Sequence, residues 1–231
     1  MAILAIDTTT SVCSVALAKE GKLLAEITTN LPRTHSQRLL PLIAALCQET
    51  GIPPAGLRLL AVTRGPGSFT GLRIGIATVK GLGLALNLPV VGVSTLMVLA
   101  HNLSGAGLVC PVLNARREQV YAALFQTGTG IPETVVPEQA LPISDLLLTL
   151  QEFTDPIWFC GDGVDLVMPA AQRALNAPRL APLHLVGNRA AALADLARGV
   201  QGVPADQLTP LYLRESQAEV QLRRKLAGKN D

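Results

Sequence analysis

Apolar and polar positions alternate at the start of the chain and then change period. Aliphatic runs at 3–6, 11–17 and 22–28 are separated by Asp7-Thr8-Thr9-Thr10 and by Glu20-Gly21, which predicts a three-stranded antiparallel meander. Thr34-His35-Ser36-Gln37 then matches a capping box, with Thr34 as N-cap and Gln37 reaching back. Beyond it Leu39, Leu40, Ile43, Leu46 and Cys47 recur at helical spacing and make one stripe, with Pro41 inside it as a predicted kink. Apolar runs at 59–63 and 90–93 read as strands on either side of a second helix that ends at Asn87-Leu88-Pro89. The order to this point is βββαβαβ.

The join between the run at 59–63 and that second helix is the string Arg64-Gly65-Pro66-Gly67-Ser68-Phe69-Thr70-Gly71-Leu72-Arg73-Ile74-Gly75. Gly65-Pro66-Gly67 fits a sharp turn, and Ser68 or Thr70 is placed to cap the helix. Gly71, Gly75, Ala77, Gly81, Gly83 and Ala85 follow inside it. A helical glycine costs about 1 kcal/mol relative to alanine. Several together imply close approach by another backbone, either a partner's or this chain's own sheet. Ala77, Gly81 and Ala85 repeat at four-residue spacing and so share one stripe, with Gly71 and Gly75 as a second small pair.

After Leu103-Ser104-Gly105-Ala106-Gly107, a hinge by composition, the pattern restarts. Strands are expected at 109–114, 119–125, 133–137 and 157–160, and helices at 141–151, 164–175 and 189–198. Two βββαβα units in tandem give an α/β fold with mixed sheets, divided as 1–104 and 105–231, with the C-terminal segment packing back on the first unit.

Composition narrows the function classes. Hydrophobic residues make up 49% of the 231 and aromatics only 3%, so the core is aliphatic. A net charge of +2 gives no strong pull toward nucleic acid, and the basic group Arg223, Arg224, Lys225 and Lys229 reads as a solvated helix end. The first residues lack a basic region and meet Asp7 at once, unlike a signal peptide. The apolar stretch 81–100 is divided by Asn87-Leu88-Pro89 and is not read as a membrane span. Cys13, Cys47, Cys110 and Cys160 are widely spaced and form no CxxC pair, which predicts buried thiols in a reducing cytoplasm.

Several strings taken together carry a resemblance. They are Ile3-Leu4-Ala5-Ile6-Asp7-Thr8, the glycine string 64–75, Gly92-Val93-Ser94-Thr95-Leu96, Ala115-Arg116-Arg117 with Val120-Tyr121, and Pro210-Leu211-Tyr212-Leu213-Arg214. With them the chain resembles the TsaB (YeaZ) family, strongly over 1–126 and weakly beyond. The duplicated unit is similar to the actin, hexokinase and Hsp70 ATPase (ASKHA) superfamily. The resemblance implies a part in threonylcarbamoyl transfer to adenosine 37 of tRNA, through association with the catalytic paralogue TsaD and the ATPase TsaE. It implies tRNA contact only through that complex, a homodimer when the partner is absent, and no active site of its own. Asn114 stands where the family commonly has Asp before Ala-Arg-Arg, which weakens any role for a carboxylate there.

The TsaD paralogue holds a metal through two histidines; Thr95 and Leu99 stand at those places here, and Leu cannot ligate. His35, His101 and His184 share no ligand spacing, and no Ser-His-Asp or Cys-His set is visible. The nucleotide loops are degenerate: Asp7-Thr8-Thr9-Thr10 lacks glycine, and Arg116 and Arg117 stand where ATP-binding relatives have glycines. Gly161-Asp162-Gly163 keeps the look of an adenosine loop. Asp7 reads as a hairpin cap or a magnesium-side carboxylate. The expected cofactor is therefore none in the isolated chain, with nucleotide only at a partner interface. The expected pairing surface is Leu39, Leu42, Ile43, Leu46, Arg73, Ala77, Gly81 and Ala85. Two other classes remain open: a metal-dependent glycopeptidase or ATP-dependent phosphotransferase, and a tRNA-binding module.

Overall fold

The computed structural model describes residues 1–31 and 34–214. The first unit holds β1 (Ala2–Asp7), β2 (Cys13–Lys19), β3 (Lys22–Thr29), α1 (His35–Thr50), β4 (Leu59–Thr63), α2 (Phe69–Leu86) and β5 (Val90–Val93), followed by α3 (Thr95–His101). The second holds β6 (Gly107–Arg116), β7 (Gln119–Thr127), β8 (Glu133–Pro142), α4 (Ile143–Leu150), β9 (Ile157–Cys160), α5 (Val164–Ala174) and β10 (Pro178–Leu180), and α6 (Ala190–Ala197) follows. The sheets run β3-β2-β1-β4-β5 and β8-β7-β6-β9-β10. In each, two antiparallel pairs come first and two parallel pairs follow, so the duplication read from the sequence is a duplication of topology.

Strand alternation sorts the residues by face. Leu4 and Ile6 of β1 join Leu39, Leu46, Leu72 and Val79 in a core under α1 and α2. Ile3 and Ala5 point the other way, where Ala16 and Ala61 meet Leu193, Ala194 and Ala197 of α6. The alanines on both sides let α6 lie close to the sheet. The 189–198 segment therefore covers the first sheet and does not complete the second unit, because its small apolar stripe matches the alanine face of β1, β2 and β4. Ala205 and Leu208 also enter the first core.

α3, unforeseen in the sequence, joins the halves. Val98 packs with the first sheet, whereas Leu96, Leu99 and Ala100 pack with Val109, Ala123 and Phe125 of the second. β8 runs to Pro142, so α4 starts at Ile143 and not at 141, and β10 is an added edge strand. α2 is long and apolar enough to cross a membrane by length and composition alone. It lies instead on the first sheet, with Leu72, Ile76 and Val79 in that core.

The capping box does not form. Thr34 has extended N-cap geometry but no side-chain cap bond; Ser36 Oγ donates to its hydroxyl, 3.2 Å away. α2 is capped as expected, with Ser68 Oγ accepting from the Gly71 N–H and Asn87 closing the helix at φ +51°. All four cysteines are buried and unpaired. The basic group Arg223, Arg224, Lys225 and Lys229 lies outside the described residues.

Candidate functional site

The glycine loop makes room for this chain's own first hairpin. Ser68 N–H donates to the Thr9 carbonyl at 2.7 Å, and Thr8 Oγ1 donates to the Gly71 carbonyl at 2.7 Å. A Cβ at Gly67 would strike the Thr9 carbonyl, one at Gly71 the Thr8 carbonyl, and one at Gly75 would come within 2.5 Å of Thr8 Oγ1. Gly65 has φ +119° and backs onto the Leu211 carbonyl. The pair Gly71 and Gly75 is thus spent on internal packing, so here the close approach is that of this chain's own hairpin. Ala77, Gly81 and Ala85 behave differently. All three are exposed, and a Cβ at Gly81 would meet nothing within 4 Å. Leu84 beside them is 67% exposed and Arg73 is exposed at the head of the same face.

α1 also differs from expectation. Leu39, Ile43 and Leu46 are buried in the chain's own core, and Leu42 is half-buried against it. An amphipathic helix turns its apolar stripe to its own sheet first, because that burial stabilises the monomer. Leu40, 57% exposed, and Pro41, Ala44 and Ala45 are the apolar residues that α1 presents to solvent.

Asp7 is fully buried. Its Oδ1 accepts from Thr9 N–H (2.9 Å) and Thr9 Oγ1 (2.8 Å), and its Oδ2 from Asn188 Nδ2 (2.7 Å). Burial pushes its pKa up, and these donors pull against that shift. The carboxylate is therefore a hairpin cap bridged to the loop before α6. Asn188, 181 residues away, has no local sequence signal. Nearby, the Glu26 carboxylate takes the Arg189 guanidinium at Oε2 and the Ala191 N–H at Oε1, fixing the start of α6 on β2 and β3. Thr95 is buried, and Leu99 lies in the core around the second sheet.

A cleft of about 670 Å³ opens between the halves. One wall is Gly67, Ser68 and Thr70 at the head of α2; the other is the β6–β7 tip with Arg116 and Arg117. Arg116, Arg117 and Glu118 take left-handed φ of +63°, +54° and +59°, so arginines hold a backbone shape that glycine adopts more readily. Asn114 Oδ1 accepts from the Arg116 N–H at 2.8 Å, and Asp162 Oδ1 from the Asn114 N–H at 3.0 Å. The Asn114 amide oxygen fills a role open to a carboxylate oxygen. Gly161, at φ +100°, and Gly163 press on the Val112 backbone, so both are explained by packing. Residues 211–214 strap the cleft. Leu211 N–H donates to the Arg64 carbonyl at 2.6 Å, Tyr212 stacks on Phe69 at 5.1 Å, and Arg214 Nη1 donates to the Ala115 carbonyl at 3.1 Å.

The fold also brings together a trio that sequence spacing hid. His101 Nε2 lies 2.9 Å from Asp195 Oδ2, and Ser104 Oγ lies 3.3 Å from His101 Nδ1. Ser104 donates to the His101 carbonyl at 2.7 Å, so the trio ties α3 to α6 and closes a helix end. No group of three or more potential metal-ligating side chains occurs among the described residues.

A Bacillus subtilis (strain 168) protein, tRNA threonylcarbamoyladenosine biosynthesis protein TsaB, is 36% identical over 221 residues, 95% of this chain and 96% of that protein. The chain belongs to the TsaB (YeaZ) family. The solved structure of YeaZ from Pseudomonas aeruginosa matches this TsaB-family fold with a TM-score of 0.77 at 35% identity, covering 92% of this chain and 99% of that one. The family profile described as TsaD: tRNA N6-adenosine threonylcarbamoyltransferase matches residues 22–222, so the TsaB-family chain is kin to the transferase. The ethanolamine utilization protein EutJ from Carboxydothermus hydrogenoformans shares the fold alone, with a TM-score of 0.51 at 12% identity and cover of 83% of this chain and 88% of that one. The architecture is two α/β units of like topology, each built on a mixed five-stranded sheet.

Proposed function

We propose that this chain is a non-catalytic subunit of tRNA threonylcarbamoyladenosine synthesis and works by pairing with the catalytic TsaD-type paralogue. The observation that carries the reading is the outer face of α2. Ala77, Gly81 and Ala85 are exposed, with open space over Gly81, although glycine weakens an exposed helix. Small side chains let a second helix approach nearer than the usual ~8–10 Å between axes. Leu40 and Leu84 supply apolar area on the surfaces of α1 and α2. A homologous domain has a matching pair of helices to offer, so four helices form the junction. The same face serves a homodimer when the paralogue is absent, and the two assemblies compete.

Other features support the absence of a separate chemistry. Asp7 is fully occupied by Thr9 and Asn188, and Leu99 is a core residue at the place of a ligand in the paralogue. The chain is accordingly read as holding neither metal nor ATP on its own. Nucleotide enters through the TsaE-type ATPase or at a shared interface, and tRNA is engaged by the assembled complex in the cytoplasm.

Co-expression with the cognate TsaD-type paralogue tests this. Wild-type chain co-elutes with the paralogue, and a folded Gly81→Leu variant elutes alone. A folded Gly81→Leu variant that still co-elutes contradicts the reading, as does low-micromolar ATP binding with hydrolysis by the chain alone.

A further inference from the structure

The interdomain cleft has side-chain cations and an exposed ring. Arg116, Arg117 and Arg214 line it, against Asp162 as the acidic residue in its wall. Tyr212, 42% exposed and stacked on Phe69, offers ring surface at the strap. His35 also lines the cleft. Its Nε2 lies 2.7 Å from the Thr10 carbonyl and therefore donates there, while its buried Nδ1 has no partner among the described residues.

Four backbone N–H groups around the opening are already engaged. That of Asn114 goes to Asp162, that of Arg116 to Asn114, that of Ser68 to Thr9, and that of Gly71 to Ser68. A compact triphosphate needs several converging backbone donors. A chain of phosphodiesters needs spaced cations and a ring on which a base can stack, and is tolerant of sequence. The volume of about 670 Å³ lies within the usual range of ligand clefts, about 300–1,000 Å³.

The geometry points to this cleft as a contact site for single-stranded RNA, with a base on Tyr212 and phosphates on Arg116, Arg117 and Arg214. It rests on the reading of the chain as a component of a tRNA-modifying complex, and it assigns part of the RNA contact to this subunit. Bound by the chain alone, the RNA is held weakly, in the range of non-specific complexes, with Kd about 10⁻⁴ to 10⁻⁶ M at physiological salt.

The test is fluorescence anisotropy of a labelled single-stranded oligouridine titrated with full-length chain at about 50 and about 200 mM salt. Saturable binding that weakens with salt is expected. Tyr212→Ala weakens it at least about fivefold and Tyr212→Phe restores it, as loss and return of one stacked base require. Arg116→Ala with Arg117→Ala lowers the slope of log affinity against log salt by about 0.7 for each phosphate that is no longer neutralised. Arg116 and Arg117 are exposed, so the melt of their double variant matches the wild type, and Tyr212→Ala, which loses the Phe69 stack, is titrated well below its own melting temperature.

No saturable binding overturns the proposal, and so do cleft variants that bind like the wild type. It is also overturned if Arg223→Ala, Arg224→Ala and Lys225→Ala together abolish binding while the cleft variants retain it, since the contact then belongs to the terminal basic group. Displacement of the RNA by equimolar ATP assigns the cleft to a free nucleotide and overturns it too. Co-elution with the TsaD-type paralogue is scored on the same preparations. A chain that pairs and binds no RNA loses the cleft proposal alone, whereas a chain that binds RNA and fails to pair loses the reading of its function.

Discussion

Two glycines on one helix, ten residues apart, are expected to respond to substitution with opposite signs. At Gly81 a side chain meets nothing within 4 Å, so Gly81→Leu gains helix propensity, up to about 1 kcal/mol. In a chain of this size that raises Tm by about 2–4 °C. At Gly71 a Cβ strikes the Thr8 carbonyl, a backbone atom of a hairpin pinned by Thr8 Oγ1 to the Gly71 carbonyl and by Ser68 N–H to Thr9. Overpacking of this kind costs about 1–3 kcal/mol. Strain on the Thr8 hydrogen bond adds about 1 kcal/mol. The helix-propensity gain of about 1 kcal/mol offsets that last loss, leaving Gly71→Ala net destabilised by about 1–3 kcal/mol. Scanning calorimetry with light scattering on both variants measures the contrast. A Gly81→Leu variant that melts several degrees below wild type as a monomer refutes the open face, and a Gly71→Ala variant that melts with wild type refutes the tight hairpin contact.

The two faces of α1 separate in the same way: Leu46→Ala, at a fully buried position, costs about 2–5 kcal/mol, whereas Leu40→Ala, 57% exposed, stays within about 0.5 kcal/mol, as urea melts of the isolated chain report. Asn188→Ala removes a donor to a buried carboxylate and costs about 1–3 kcal/mol at neutral pH. Burial raises the folded pKa of Asp7 above 3.8, so its contribution to stability is present in full below the unfolded value and is lost as pH rises through the folded one. Losing Asn188 raises that folded pKa further, so the gap between wild type and variant widens as pH rises from about 4 to about 7.5; a gap that narrows over that range refutes the role given to Asn188.

Local signals carried much of the fold. The period-two runs around Glu20-Gly21 mark the meander, and Ser68 and Asn87 mark both ends of α2, because turn and cap residues act on their own neighbours. What failed needed information from a distance. The stripe Leu39, Ile43 and Leu46 says that α1 has an apolar face but not what covers it, and the chain's own sheet does. α3 is short and apolar from Leu96 to Ala100, sitting between two sheets, so no period distinguishes it from a strand. Thr34 and Gln37 have the capping-box spacing, yet the Thr34 hydroxyl is engaged by Ser36. Asn188 and Glu26 act across 181 and 163 residues respectively, beyond any motif. Of the candidate site, the exposed stripe on α2 was legible and its internal counterpart, Gly71 and Gly75, was separable only once Thr8 was placed.

The central claim is that this chain contributes a pairing surface and no chemistry of its own. The most direct measurement is threonylcarbamoyladenosine formed on unmodified tRNA in a reconstituted reaction with the cognate TsaD- and TsaE-type proteins, comparing no chain, wild-type chain and folded Gly81→Leu chain. The account predicts product with the wild type and a fall to the level without the chain for Gly81→Leu. Full product with a Gly81→Leu chain that no longer pairs, or product from this chain without the TsaD-type protein, contradicts it.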